Sequence, residues 1–364
     1  MKQPHYIYQI AFTQLYGIGP IRAKRLLKIL DSPQEFFELS LPELQFKTSI
    51  SLKQLELANR NAALLAAQTQ EPYLNQSDVK YFFTNESAFP KQLKECEDAP
   101  LGLFYRGTSP QWNERRTLAI VGTRQETSYG KHIVKELIAA LPKDILIVSG
   151  LAQGVDADVH EQALNFGLQT IGVLGHGLDR IYPAKHRELA LAMTKQGGLL
   201  SEFLIGTRAD RMHFPMRNRI IAGLSDAVVV IESKKNGGSL ITAELANDYN
   251  REVCAFPGGI HYPYSAGCNA LIKANKAHLI TNADDLLKLL DWQEKANKRQ
   301  DAISHLSAQQ KVVIQLFASK NTWSIDELTL HLNQPVSEIS TLLFELELMG
   351  QIEHLGANRY KLPI

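Results

Sequence analysis

The fold turns on residues 117–164, TLAIVGTRQETSYGKHIVKELIAALPKDILIVSGLAQGVDADVHEQAL. Two short apolar runs, TLAIVG (117–122) and ILIVSG (145–150), flank GKHIVKELIAAL (130–141), whose apolar residues fall at helical spacing. Continuous apolar runs of this length read as strands buried on both faces, and a helix between two of them is the crossover of a parallel sheet. The pattern continues outward through TIGVLG (170–175), GLLSE (198–202), DAVVVIES (226–233) and EVCAFPG (252–258), with AELANDYN (243–250) as a further helical run. The expected centre of the chain is therefore an α/β, Rossmann-like parallel sheet covered by helices. Ligands of such sheets bind beyond the carboxyl ends of the strands. Gly122, Gly150, Gly175 and Gly258 sit at those ends.

Three motifs there suit an anion. Gly122-Thr123-Arg124 follows the first parallel strand: glycine permits close backbone approach, a helix start offers free N–H groups, and Arg124 adds a charged fork. The same turn also suits an ordinary strand-to-helix connection. Ser149, Gly150, Gln153 and Gly154 close the next strand and open a helix at Asp156. Gly237-Gly238-Ser239 makes a second possible phosphate nest. No GxGxxG and no GxxxxGK[ST] is present, so neither a dinucleotide nor a nucleoside triphosphate is indicated, and no cofactor is expected. Asp156, Asp158 and His160 lie two apart on a helix and do not converge, so no metal site is expected.

The stretch RADRMHFPMRNRIIAGLSDAVVVIES (208–233) carries Arg208, Arg211, Arg217 and Arg219 around Phe214 and Asn218. Arginines interleaved with an aromatic suit a single nucleic-acid strand, with phosphates on the guanidiniums and an unpaired base on the ring. The competing reading pairs Arg217 and Arg219 internally and buries Phe214. In LGHGLDRIYPAKHREL (174–189), Tyr182-Pro183, Lys185 and Arg187 line the same cleft or fix a loop.

The flanking segments differ. Residues 1–80 are expected to form a helical, helix-hairpin-helix or SAM-like domain: LYGIGPIRAKRLLKIL (15–30) turns at Gly17–Pro20 and continues as a helix bearing Arg22, Lys24 and Arg25. Its turn either faces a DNA phosphate or serves only packing. The central domain is expected over 81–290 and a polar linker over 291–302. Residues 303–364 read as a winged helix, three amphipathic helices and a hairpin. That module holds Lys311, Lys320, Arg359 and Lys361 against Asp326, Glu327, Glu338, Glu345, Glu347 and Glu353, four basic against six acidic residues, which points to protein contact rather than DNA reading.

Bulk composition sets limits. At 364 residues, 45% hydrophobic and 21% charged, the chain is globular and large enough for two or three domains. A net charge of +1 excludes a uniformly basic coat, so nucleic-acid binding needs local clustering. Cys96, Cys254 and Cys268 form no CxxC pair and fit a reducing compartment. MKQPHYIYQIAF is not a signal peptide and no apolar run spans a bilayer, so a cytoplasmic location without membrane contact is expected.

Taken in order, IVGTR, SGLAQGVDADVH, GHGLDRIYP, HFPMRNRIIAGLSDAVVVIE, GGSLITAELA and FPGG, with the approach segment FFTNESAFPKQLKECEDAPLGLFYRG (82–107), resemble the DprA (Smf) DNA-processing family over nearly the whole chain. The resemblance implies an extended Rossmann domain that binds and protects single-stranded DNA, forms homodimers and helps load the RecA recombinase, in natural transformation or related recombination. It places the phosphate-binding arginine on Arg124 and the basic and aromatic contacts on Arg211 and Phe214. Two departures stand out: Gln153 where many relatives are basic, and Gly237-Gly238-Ser239 in place of Ser-Gly-Ser. With no nucleophile–base pair in the motifs, a non-enzymatic role is expected, with no catalytic residue. The alternative is a LOG-type nucleoside-monophosphate phosphoribohydrolase, in which GGSLITAE would supply Glu244 as acid or base. The apolar helical end of the central domain, 267–290, is the expected dimer surface.

Overall fold

The computed structural model describes residues 4–76, 78–293, 306–319, 322–349, 351–356 and 358–361. They fall into two compact units, divided between Asp291 and Trp292. The expected linker, 291–302, lies mostly outside the described residues.

Unit one opens with seven short helices: α1 (His5–Thr13), α2 (Pro20–Leu27), α3 (Pro33–Glu38), α4 (Leu41–Thr48), α5 (Leu52–Leu57), α6 (Arg60–Gln68) and α7 (Glu71–Gln76). Their starts are written in the sequence. Ser32, Ser40, Ser51 and Asn59 cap α3 to α6, and Ser40 and Glu43 form a reciprocal capping box. α2 follows the Gly17–Gly19 turn with Pro20 in its first position and buries Ala23 and Leu26.

A nine-stranded sheet follows, built from β1 (Val79–Phe83), β2 (Gly102–Gly107), β3 (Thr117–Val121), β4 (Leu146–Ser149), β5 (Thr170–Val173), β6 (Gly198–Ser201), β7 (Ala227–Val230), β8 (Glu252–Ala255) and β9 (His278–Leu279). Its order is β1-β2-β6-β5-β4-β3-β7-β8-β9. The segment β6 to β9 is parallel, whereas β1, β2 and β6 pair antiparallel. Every residue of β3 to β7 is buried, which is why those strands read as unbroken apolar runs. The helices are α8 (Lys91–Glu95), α9 (Ser128–Ala140), α10 (Val155–Asn165), α11 (Arg187–Gln196), α12 (His213–Leu224), α13 (Gly238–Asp248), α14 (Ala266–Lys273) and α15 (Ala283–Leu289). α9 shows the logic: it buries Gly130, Ile133, Val134, Leu137 and Ile138, one face at helical spacing, and Thr127 caps it.

The helical and sheet regions share a core. Ile10, Phe12, Phe36 and Leu55 cluster with Phe83, Phe104, Leu174 and Leu199. The boundary expected between residues 80 and 81 falls inside β1.

Unit two contains α16 (Ala308–Ser319), β10 (Thr322–Ser324), α17 (Ile325–Leu332), α18 (Val336–Leu348), β11 (Glu353–Gly356) and β12 (Arg359–Lys361). The strands form one antiparallel sheet, β10-β12-β11, around a core of Val313, Phe317, Leu328, Ile339, Leu343 and Leu346. This is a winged helix. Three-residue β10 is an element beyond the three helices and hairpin that the pattern predicts.

Candidate nucleic-acid interface

The chain reverses its direction across the sheet at β3: β4, β5 and β6 lie to one side, and β7, β8 and β9 to the other. The loops after β3 and β7 therefore part, opening a crevice at the carboxyl end of the sheet. The motifs read from the sequence meet at that end, but their side chains do different things.

Arg124 is exposed on the loop after β3, with its guanidinium carbon 5.4 Å from the centre of the Phe214 ring. Phe214, in the first turn of α12, lies half-buried against Gly175, and its ring centre is 5.7 Å from that of Tyr182 at an interplanar angle of 35°. Tyr182 is 52% exposed, so one ring of the pair is open to solvent. Tyr182-Pro183 is a cis peptide. Arg208 and Arg211 are exposed on the loop leading into α12 and make no ion pair among the described residues. Exposed Gln153, Lys131 and Lys185 line a shallow pocket with Arg124. The Thr123 hydroxyl accepts the Gln125 N–H at 3.2 Å and so shapes the loop.

Several candidate residues serve the framework instead. Arg217 is 4% exposed, and its guanidinium donates to the carbonyls of Gly150 and Val173, fastening α12 to the ends of β4 and β5. Burial pulls its pKa down to about 10, a pull that Asp156 opposes and Arg124 reinforces. A side chain on Gly150 would fall within that guanidinium, so this glycine makes room for Arg217 rather than for a ligand. Arg219 is also buried: it ion-pairs with Glu202 and donates to the Asp98 carbonyl at 2.7 Å. Arg217 and Arg219 are thus corrected from phosphate contacts to internal ties, because α12 buries every residue from Arg219 to Leu224. Asn218 between them is half-buried.

Ser149 is fully buried and donates to the Ile120 carbonyl at 2.7 Å, so it is no contact residue either. A side chain on Gly122 would meet Val155, so the close packing of α10 against this loop requires glycine there. Gly154 has φ +84°, and a side chain there would strike the Thr123 carbonyl, so it locks the first two loops together. At the third loop, Ser239 is buried and bonds to Ser233 at 2.9 Å, whereas Gly238 is exposed with open space beside it.

Acidic groups crowd the same end. Glu232 is buried and accepts from the Thr127 N–H and hydroxyl at 3.0 and 2.7 Å. Glu126 is half-buried; burial pushes its pKa up to about 8, with Asp158 and Glu232 adding and Lys131 opposing. Burial thus favours the neutral form of this carboxyl, which lessens the negative charge beside Arg124. His160 is fully buried on Thr170 at 2.7 Å, and burial drives its pKa down to about 3. Asp156 accepts the Ala152 N–H at 3.4 Å at the start of α10.

Glu244 is exposed and pairs with Lys276 at 3.3 Å, nearly two helical turns past the Gly237 turn. A phosphoribohydrolase acid would have to face the cleft, so the arrangement removes the support for that alternative. On the N-terminal helices, Lys24 bonds to the Cys96 carbonyl and Arg22 to the Gly17 carbonyl at 3.3 Å. Among the described residues, Arg25 is the one hairpin cation that is exposed without such a bond. No helix of the described residues is long and apolar enough to cross a membrane.

Residues 80–291 match the family model of DNA recombination-mediator protein A, and 297–358 match that of the DprA winged helix domain. The chain belongs to the DNA recombination-mediator protein A family. Among family members, Protein Smf of Synechocystis is 35% identical over 80% of this chain and 74% of its own length. DNA processing protein DprA of Bacillus subtilis is 42% identical over 56% of this chain and 68% of its own. The crystal structure of Streptococcus pneumoniae DprA superposes with a TM-score of 0.66 at 33% identity, covering 79% of this chain and 98% of that one. DprA from Helicobacter pylori, whose structure is described for its single-stranded DNA binding mode, gives a TM-score of 0.54 at 29% identity over 59% of this chain and 96% of that one.

Proposed function

We propose that this protein binds single-stranded DNA across the carboxyl end of its parallel sheet and acts in DNA recombination or transformation by helping RecA load onto that strand. The observation that carries the reading is the platform of Arg124 over Phe214 beside exposed Tyr182. It presents a guanidinium for phosphate and an accessible ring for a base at one place, the pairing a single strand needs whatever its sequence. In this reading Lys185, which shares the shallow pocket with Arg124, and exposed Arg208, Arg211 and Gly238 offer further contacts to the strand. Family membership and the single-stranded DNA binding mode described for the H. pylori protein support the same ligand.

Loading of RecA and homodimerisation are the finer parts of the proposal. Leu279 and Leu289, 52% and 38% exposed within the 267–290 segment, are apolar surface that a second copy would cover. Sedimentation at micromolar concentration would show a dimer, and a monomer would remove that part. The lag in DNA-dependent ATP hydrolysis by RecA should shorten when the protein is added; an unchanged lag would remove the loading role. For the binding itself, oligo-dT should bind tightly and salt-sensitively, and Arg124→Ala should lose most of the affinity. Equal affinity of the variant would refute the site.

A further inference from the structure

Gln125, the residue after Arg124, reaches across the crevice to a second ring and cation that no sequence motif marks. Its Oε1 accepts from the Tyr264 hydroxyl at 2.5 Å and from Lys234 Nζ at 3.3 Å. Lys234, exposed after β7, lies 4.9 Å from the centre of the Tyr264 ring. It forms no ion pair among the described residues. Tyr262, two residues before Tyr264, is 70% exposed. Adjacent loop residues thus each hold a cation-and-ring pair, Arg124 with Phe214 on the β4 side and, through Gln125, Lys234 with Tyr264 on the β8 side.

We infer that Lys234 and Tyr264 form a second nucleotide subsite, which takes a phosphate and a base of the same single strand farther along its backbone. This rests on the single-stranded DNA reading of the Arg124 platform and extends it. An unpaired ammonium beside a tyrosine has the chemistry of that platform, and stacking on a ring tolerates any base. A strand must be long enough to reach both places, so the second subsite acts only on longer oligonucleotides. Gln125 fixes the spacing by holding both groups from the loop that carries Arg124.

The test measures affinities of labelled oligo-dT from about 3 to about 12 nucleotides for wild type, Tyr264→Leu and Lys234→Gln, with thermal unfolding as the folding control. Lys234→Gln alters only an exposed side chain, so it keeps the test sound if Tyr264→Leu folds poorly. The subsite predicts unchanged affinity for the shortest oligomers and roughly tenfold weaker binding of the longest by both variants. It also predicts that Lys234→Gln lowers the salt dependence by about 0.7 for the long oligomers only. Loss at every length would merge these residues into the first platform and overturn a separate subsite. No loss at any length would overturn the subsite and leave the Arg124 platform standing. Failure of wild type to bind any oligomer would overturn both.

Discussion

Arg124 and Arg217 sit at the same end of the same sheet, and each is drawn from a glycine-flanked or arginine-rich motif. Arg124 stands on a loop after β3, exposed over an aromatic ring. Arg217 stands on α12, where its charge is enclosed by two strand-end carbonyls. The loop leaves a charge free for solvent or ligand, while the helix, packed along most of its length, turns its charge inward. An arginine cluster in a sequence is thus two populations: Arg208 and Arg211 before the helix face out, and Arg217 and Arg219 within it hold the fold.

The largest effect that sharpens this contrast is on stability. Arg217→Ala should destabilise unit one by about 3 kcal/mol or more, since it leaves buried carbonyls without a donor and removes the cation that Asp156 faces. Chemical denaturation would register this, and a variant as stable as wild type would mean that Arg217 is not a tie. Next, Arg124→Ala should weaken oligo-dT binding by roughly 30-fold and lower the salt slope by about 0.7, with stability within about 0.5 kcal/mol of wild type. If Arg124→Ala unfolds the protein instead, the two arginines are alike and the contrast breaks.

Removing the rings comes third. Phe214→Ala and Tyr182→Ala should each cost roughly tenfold in affinity for the single strand, with Phe214→Tyr close to wild type. Full binding by both alanine variants would leave Arg124 acting as a charge alone. The smallest effect is that of pH. Glu126 has a folded pKa of about 8, raised above its unfolded value near 4.5. Its contribution to stability is therefore complete below about pH 4.5 and is lost as the pH rises through about 8. Thermal unfolding of Glu126→Gln should gain on wild type across that window, and a constant difference would mean that the carboxyl is charged throughout.

The sheet was legible because β3 to β7 are buried on both faces and so appear as plain apolar runs with glycines at one end. β1 was not, since this edge strand buries only Phe83 fully and has no clear alternation. Within the site, the residue types are readable from the motifs, but their directions are not. A helix buried all round, as α12 is from Arg219 onward, has no polar face by which periodicity could separate an inward arginine from an outward one. Tyr182 was visible as one of two readings of its loop. Lys234 and Tyr264 carried no signal, because they lie 109 and 139 residues from Gln125 and meet it only through the strand order.

The most direct test of a single-strand site at the carboxyl end of the sheet is fluorescence anisotropy of a labelled oligo-dT and of a matching duplex, with wild type and Arg124→Ala at two salt concentrations. The account predicts preference for the single strand, weaker binding at higher salt, and loss of most affinity in the variant. Equal binding by the variant, or preference for the duplex, would contradict it and move the interface to the helical hairpin or the winged helix.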